Sequence, residues 1–329
     1  MISIATRGAV PARARLVATR FVNHKRALGF GYQGPEFILR ALCRHVERCG
    51  HSDLNAQCFE SWMATYQKHH PNTRSKWYST VRYFCLYRRR REPDCFLPAA
   101  DGVPKRQPIP IPVIVEPEQI ARMLPLTSAL LPANNSPLRA PALRLAIVLL
   151  YTCGLRIGEL IRLTLGDIED AGTVLSIRDS KFHKSRLVPL SVSAARELKI
   201  YLQQREAVSA MQADGPLLCN RTGGRFHRYS HPGLYKAIVQ LFKEAGVRDE
   251  QGRRPRVHDL RHSFAVQVLL RWYREGADVQ VELPKLAIFM GHVSIHYTAY
   301  YLHWVPAVRE LACRRFEQQF GHFVKGGVL

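Results

Sequence analysis

The chain has 329 residues, long enough for two domains that each bury a core of their own. A content of 47% hydrophobic and 22% charged residues excludes a disordered or purely solvating segment. Lys and Arg number 48 against 26 Asp and Glu, and the resulting formal charge of +22 points to a polyanionic partner, naturally nucleic acid. Residues 1–110 hold 19 basic and 7 acidic side chains (net +12), which leaves 29 and 19 (net +10) for the remainder, so both parts are expected to touch phosphate. Charge that serves only solubility or adhesion to a membrane surface stays open as an alternative.

The eight cysteines, at 43, 49, 58, 85, 95, 153, 219 and 313, form no Cys-x-x-Cys pair and read as reduced, mostly buried thiols. The longest apolar stretch, Leu145 to Tyr151, is far too short to span a bilayer, and the N-terminus has no signal-peptide core. A cytoplasmic protein with no membrane partner is expected.

In chain order, Glu36 to Cys49 is expected to be a helix whose apolar face is Phe37, Leu39, Leu42, Cys43 and Val46, closed by Gly50. A second helix is expected from Thr73 to Arg89. Its run Arg74-Ser75-Lys76-Trp77-Tyr78 interleaves cations with aromatics, which fits a DNA-facing helix with Arg74 and Lys76 on phosphate, or an ordinary amphipathic helix with a solvated basic face. Seven prolines from Pro93 to Pro117 mark an extended connection. The expected organisation is a helical domain over 1–107, a linker over 108–117 and a second domain over 118–329.

In that second domain a helix starts near Pro141 and stops at Gly154, another follows at once, and residues 173–190 read as a β-hairpin. Helical patterns follow at about 192–210, 231–245, 258–275, 283–290 and 294–302. The fold class is therefore mainly α with a small antiparallel β-sheet. Val308, Leu311, Ala312, Phe316 and Phe320 then give a terminal helix an apolar stripe that has to be buried, on its own domain or on a neighbour.

The chain contains no phosphate-binding Gly-rich loop, no His-Glu-x-x-His and no tight acidic cluster, so neither a metal nor another cofactor is expected. Phosphodiester cleavage without them needs a nucleophile, cations for the phosphoryl oxygens and an acid for the departing oxygen. In Gly154-Leu155-Arg156-Ile157-Gly158-Glu159, Arg156 lies at a corner between helices, either as a phosphate clamp or as a structural ion pair with Glu159. In His258-Asp259-Leu260-Arg261-His262, the first histidine and the arginine share one helix face. His258 and His262 also have metal-ligand spacing, but no third ligand is evident nearby.

Gly-Leu-Arg-x-x-Glu, then His-x-x-Arg, then Gly291-His292 followed nine residues later by Tyr301, together resemble the tyrosine recombinases, the family of phage integrases, Xer-type resolvases and transposon recombinases. The resemblance covers roughly residues 115–320. It implies a two-domain DNA clamp, with a helical core-binding domain ahead of the tyrosine-recombinase catalytic domain. Arg156 and Arg261 would bind the scissile phosphate, His292 would hydrogen-bond it, His258 would assist proton movement and Tyr301 would be the nucleophile. The family's general acid, a hairpin lysine, matches Lys181. Lys184 is the second candidate for that acid and is otherwise an expected phosphate contact, and Arg186 is an expected DNA contact.

The resemblance further implies a homotetramer on double-stranded DNA, alone or with related recombinase subunits, joined through the C-terminal helix. Tyr297 and Tyr300 stand close to Tyr301, and spacing alone selects among the three. The stretch Trp272 to Pro284 is longer than in compact members and is expected to form a helix end plus a loop. Type IB topoisomerase-like relaxation and an inactive DNA-binding accessory integrase remain the competing readings.

Overall fold

The computed structural model describes residues 11–108, 110–132, 136–178, 185–208, 211–292, 294, 298–299, 310–311, 313–314 and 316–318. Lys181, Lys184, Tyr297, Tyr300 and Tyr301 lie outside the described residues, as do Val308, Ala312 and Phe320 of the terminal stripe. Among the described residues no helix is long and apolar enough to cross a membrane. The chain divides into two compact units between Pro110 and Ile111, inside the proline-rich segment.

The first unit consists of α1 (Pro11–Ala27), α2 (Gln33–Arg48), α3 (Ala56–Ala64) and α4 (Pro71–Arg89). Phe21, Ile38, Leu42, Trp62, Val81 and Phe84 fill its core. Leu39, Leu42, Cys43 and Val46 of α2 are buried as expected, but Ile38 takes the place of Phe37, which is 59% exposed and meets Trp77 edge-on. Asn55 caps α3 by accepting from the Cys58 amide at 2.8 Å, and Pro71 opens α4 where its missing amide costs nothing. On α4, Lys76 is exposed, Arg74 is half-buried, and Trp77 stacks on Trp62 with centroids 5.7 Å apart. The aromatics of the cation-rich run thus belong largely to the core. Arg88 is buried as well, its guanidinium spanning Asp53 and Glu92.

The second unit is built around α6 (Arg139–Thr152), which packs on α5 (Pro117–Ser128), α7 (Ile157–Arg162), α8 (Val192–Glu206), α9 (His231–Glu244) and α10 (Asp259–Glu275). Leu143, Leu145, Ile147, Leu149 and Leu150 are nearly solvent-free, which is why α6 reads as a continuous apolar run rather than a stripe. Strands β1 (Ile168–Glu169), β2 (Val174–Ile177) and β3 (Arg186–Pro189) form an antiparallel sheet in chain order, with Leu175 opposite Val188 and Ile177 opposite Arg186. Leu175, Ile177 and Val188 face the core. Val115, between Pro112 and Pro117, is also buried and donates its amide to Ser263 Oγ at 2.7 Å.

Two features depart from expectation. Strands β4 (Cys219–Thr222) and β5 (Arg225–Arg228) form a second hairpin, turned by Gly223 and Gly224, both at positive φ. The expected loop before Pro284 shrinks to a short turn. Gly276 ends α10 in the left-handed region, Asp278 caps α11 (Val279–Met290), and that helix runs through Pro284. The stripe Val279, Leu283, Leu286 and Met290, packed on Ala265, Val266, Leu269 and Leu270, fixes the helix despite the proline.

Gly154 ends α6 at φ +59°, and a Cβ there would stand 2.5 Å from the Phe264 ring. Gly154→Ala combines left-handed strain with overpacking and is expected to cost about 2–4 kcal/mol. A lowered urea midpoint for the second unit's unfolding measures it.

Candidate active site

Arg156 is the N-cap residue of α7, and its position follows from the Gly154 turn that ends the preceding helix. Its backbone amide donates to Glu159 Oε2 at 3.0 Å, and its Nη1 donates to Glu159 Oε1 at 2.5 Å. The ion pair left open by the sequence is therefore real. It does not use up the guanidinium: Nη2 turns to the Gly291 carbonyl at 3.1 Å, and the side chain stays 26% exposed. Such a pair fixes the direction of the arginine while leaving one edge to the surface.

Arg261 sits in the first turn of α10 and is 2% exposed. Its Nη1 donates to the Gly154 carbonyl and its Nη2 to the Met290 carbonyl, both at 2.5 Å. Arg156 and Arg261, remote in sequence, thus reach the adjacent carbonyls of Gly291 and Met290 at the C-terminal end of α11. A helix C-terminus carries unpaired carbonyls and partial negative charge, which favours cations. His292 follows directly, its Nδ1 2.7 Å from the Oγ1 of the fully buried Thr298.

Arg186 requires a correction. Expected on the DNA, it is instead turned inward at 7% side-chain exposure. Nη1 and Nη2 bind the two Glu159 oxygens at 3.2 and 2.9 Å, and Nε donates to the Phe289 carbonyl at 2.7 Å. The geometry explains the reversal, because Arg186 opens β3, which packs on α11 and faces the buried carboxylate. Gly291 completes the fit: at φ +65°, a Cβ there would lie 2.8 Å from Arg186 Nη1. The sequence reading offered Glu159 only as a partner of Arg156, not of Arg186, and did not single out Thr298. The one available signal was a carboxylate set among Leu155, Ile157 and Leu160.

His258 stands at the N-cap position of α10, with the His262 ring perpendicular to it at 4.8 Å. Arg256 holds Asp259, with Nη2 to Oδ1 at 2.9 Å. Among the described residues, Arg156 and Arg186 pair with Glu159 and Arg256 pairs with Asp259, while Arg261 donates to backbone carbonyls. Partial burial and the charge of Arg261 hold the His258 pKa below its ordinary value. Burial and His258 bring His262 down to about 4. Burial, then Arg261 and Arg156, bring His292 down to about 3. The imidazoles are neutral at physiological pH and the arginines are not, which favours an anion.

For Glu159, burial raises the pKa, but the Arg186 hydrogen bond and the charges of both arginines prevail and hold it at about 2. A folded value below the unfolded one gives stability that is full above about pH 5 and is lost as pH falls towards 2. Glu159→Gln strands Arg186 in the interior and is expected to cost about 3–5 kcal/mol. Denaturant unfolding at pH 7 and pH 3 measures both effects, the gap between variant and parent closing at the lower pH. In NMR titrations of the free protein, the His292 ring signals are expected to stay constant from pH 5 to pH 8.

A profile of the "Phage integrase family" matches residues 116–307. An integrase/recombinase of Sinorhizobium fredii, y4rB, is 30% identical over 93% of this chain and 98% of its own. Among solved structures, the XerH site-specific recombinase bound to its difH substrate is 16% identical, with TM-score 0.61 over 96% of this chain and 97% of the other. The Tn1549 transposon integrase with a circular-intermediate DNA is 17% identical, with TM-score 0.62 over 93% and 99%. Arg156, His258, Arg261 and His292 all fall within the matched span, and the chain belongs to the phage integrase family of tyrosine recombinases.

Proposed function

We propose that this protein performs site-specific strand exchange on double-stranded DNA through a 3′-phosphotyrosyl intermediate at Tyr301, in the integration, excision or transposition of a mobile element. The observation that carries the reading is the meeting of Arg156 and Arg261 on neighbouring carbonyls beside His292. Two fixed guanidiniums next to a neutral imidazole supply several donors for the two non-bridging oxygens of a phosphodiester and the charge that builds on them. That the XerH and Tn1549 proteins were solved on DNA supports the same partner.

In this reading Arg156 and Arg261 take the charge that builds on the phosphoryl oxygens. In the tautomer whose Nδ1 accepts from the Thr298 hydroxyl, 2.7 Å away, His292 carries its ring proton on Nε2 and donates it to the phosphate. The Tyr301 oxygen attacks phosphorus, the bond to the 5′ oxygen breaks, and Lys181 protonates that oxygen as it leaves. A phenol with a pKa near 10 loses its proton during attack, assisted by His258. A 5′ hydroxyl of another strand then attacks the phosphotyrosine and restores the phosphodiester, so bond energy is conserved without a nucleotide or a metal. Arg74 and Lys76 of the first unit, and Lys184 of the second, contact the DNA backbone. A homotetramer assembles through the C-terminal helix, in the cytoplasm.

A library of nicked duplexes that lose a short 5′ fragment on cleavage traps the covalent complex, and sequencing the trapped DNA reads its site. Tyr301→Phe is expected to abolish the adduct, and Arg156→Ala or Arg261→Ala to lower its rate by at least about 100-fold, with no added Mg²⁺ required. Adducts that persist in Tyr301→Phe overturn the nucleophile. Supercoil relaxation by a monomer without strand exchange favours the topoisomerase reading, and DNA binding without any adduct favours the accessory one.

A further inference from the structure

In the first unit, independent of the catalytic reading, His45, Cys49 and Cys58 bring their ligand atoms within 4.8 Å of one another. His45 and Cys49 are one helical turn apart, the latter as the C-cap residue of α2, so their side chains lie on the same face. Cys58 comes from the first turn of α3, across the connection through Gly50 and Asn55. We propose that these three side chains bind one Zn²⁺ that clips α2 to α3.

Zinc held by thiolate at about 2.3 Å and imidazole at about 2.0 Å in a tetrahedron sets nitrogen and sulfur about 3.6 Å apart, and two sulfurs about 3.8 Å apart. The distance from Cys49 Sγ to His45 Nε2 is 3.4 Å, so that edge is already formed. The remaining edges need movements of no more than about 1 Å. Ser61 Oγ, 2.9 Å from the same nitrogen, or a water fills the fourth position. His45 and Cys58 are buried and Cys49 is exposed, which gives the ion an entry from the surface and a largely enclosed seat. Burial and the neighbouring Cys49 push the free Cys58 thiol up to about 11, so the charge of its thiolate calls for a bound cation. Two thiolates with one imidazole form the soft set that selects zinc over hard cations. Binding releases two thiol protons to solvent and shifts the imidazole proton to Nδ1.

The test uses the full chain, purified under reducing conditions, stripped with chelator and dialysed against ZnCl₂. One zinc per chain is expected by elemental analysis, and Co²⁺ in its place is expected to show thiolate charge-transfer absorption. Cys49→Ser, a surface change that leaves the core untouched, is expected to weaken binding at least tenfold. Cys313→Ser, which removes the other exposed thiol, keeps it unchanged. Equal zinc binding by the parent and Cys49→Ser overturns the proposal, as does no binding by the reduced chain. A chain isolated two hydrogens lighter, with Cys49 and Cys58 joined to each other, overturns it too.

Discussion

The arrangement of the second unit around its arginines depends on one buried carboxylate. Glu159, 3% exposed, is gripped by Arg186 through both oxygens and by Arg156 through one guanidinium nitrogen and its own amide. A charge this deep is tolerable only when paired and hydrogen-bonded, and such a pair adds little net stability over an apolar replacement. What it supplies is direction. Arg156 sits where a helix begins and would otherwise sample many rotamers; the carboxylate selects one, which points its remaining edge towards Gly291.

Arg186 ties that selection to the sheet and to α11. Its Nε bond to the Phe289 carbonyl and the close approach of Gly291 place one cation between β3, α7 and the end of α11. Arg261 reaches the same helix end from α10 and the Gly154 carbonyl from the other side. Four elements distant in the chain are therefore registered against each other by hydrogen bonds from two guanidiniums to backbone. The planar fork of arginine suits this, because several donors are fixed at once for a modest loss of rotamer freedom, whereas a lysine in either place would supply one flexible point charge.

Much of this was legible in the chain. Period and punctuation located α4, α8, α9 and α10 and the β2–β3 hairpin, since each is bounded by a proline, a glycine or a capping serine. The Gly223-Gly224 pair was an equally plain hairpin signal, but its flanks, Cys219 to Thr222 and Arg225 to Arg228, lack the β-branched alternation that a strand reading relies on. Pro284 misled because local propensity says a helix should not pass through it, while the packing of Leu283 and Leu286 says it does. Arg186 misled for a similar reason. In the run Lys184-Ser185-Arg186 nothing local separates a solvated cation from a buried one; the difference is made by Glu159, whose proximity exists only in three dimensions.

The same long-range effect governs the histidines. In sequence His258, His262 and His292 are titratable groups of ordinary pKa, and nothing in their neighbours says which form they take. In the folded chain, removal from water and the fields of Arg156 and Arg261 act in the same direction, so the neutral ring is favoured at each. The local charge is then carried by groups that do not titrate near neutrality. An anion held by the two arginines offsets part of that field, while the burial that also favours the neutral ring stays in place. The state of the His292 ring is therefore set jointly by its burial and by the two arginines, neither of which lies next to it in the sequence.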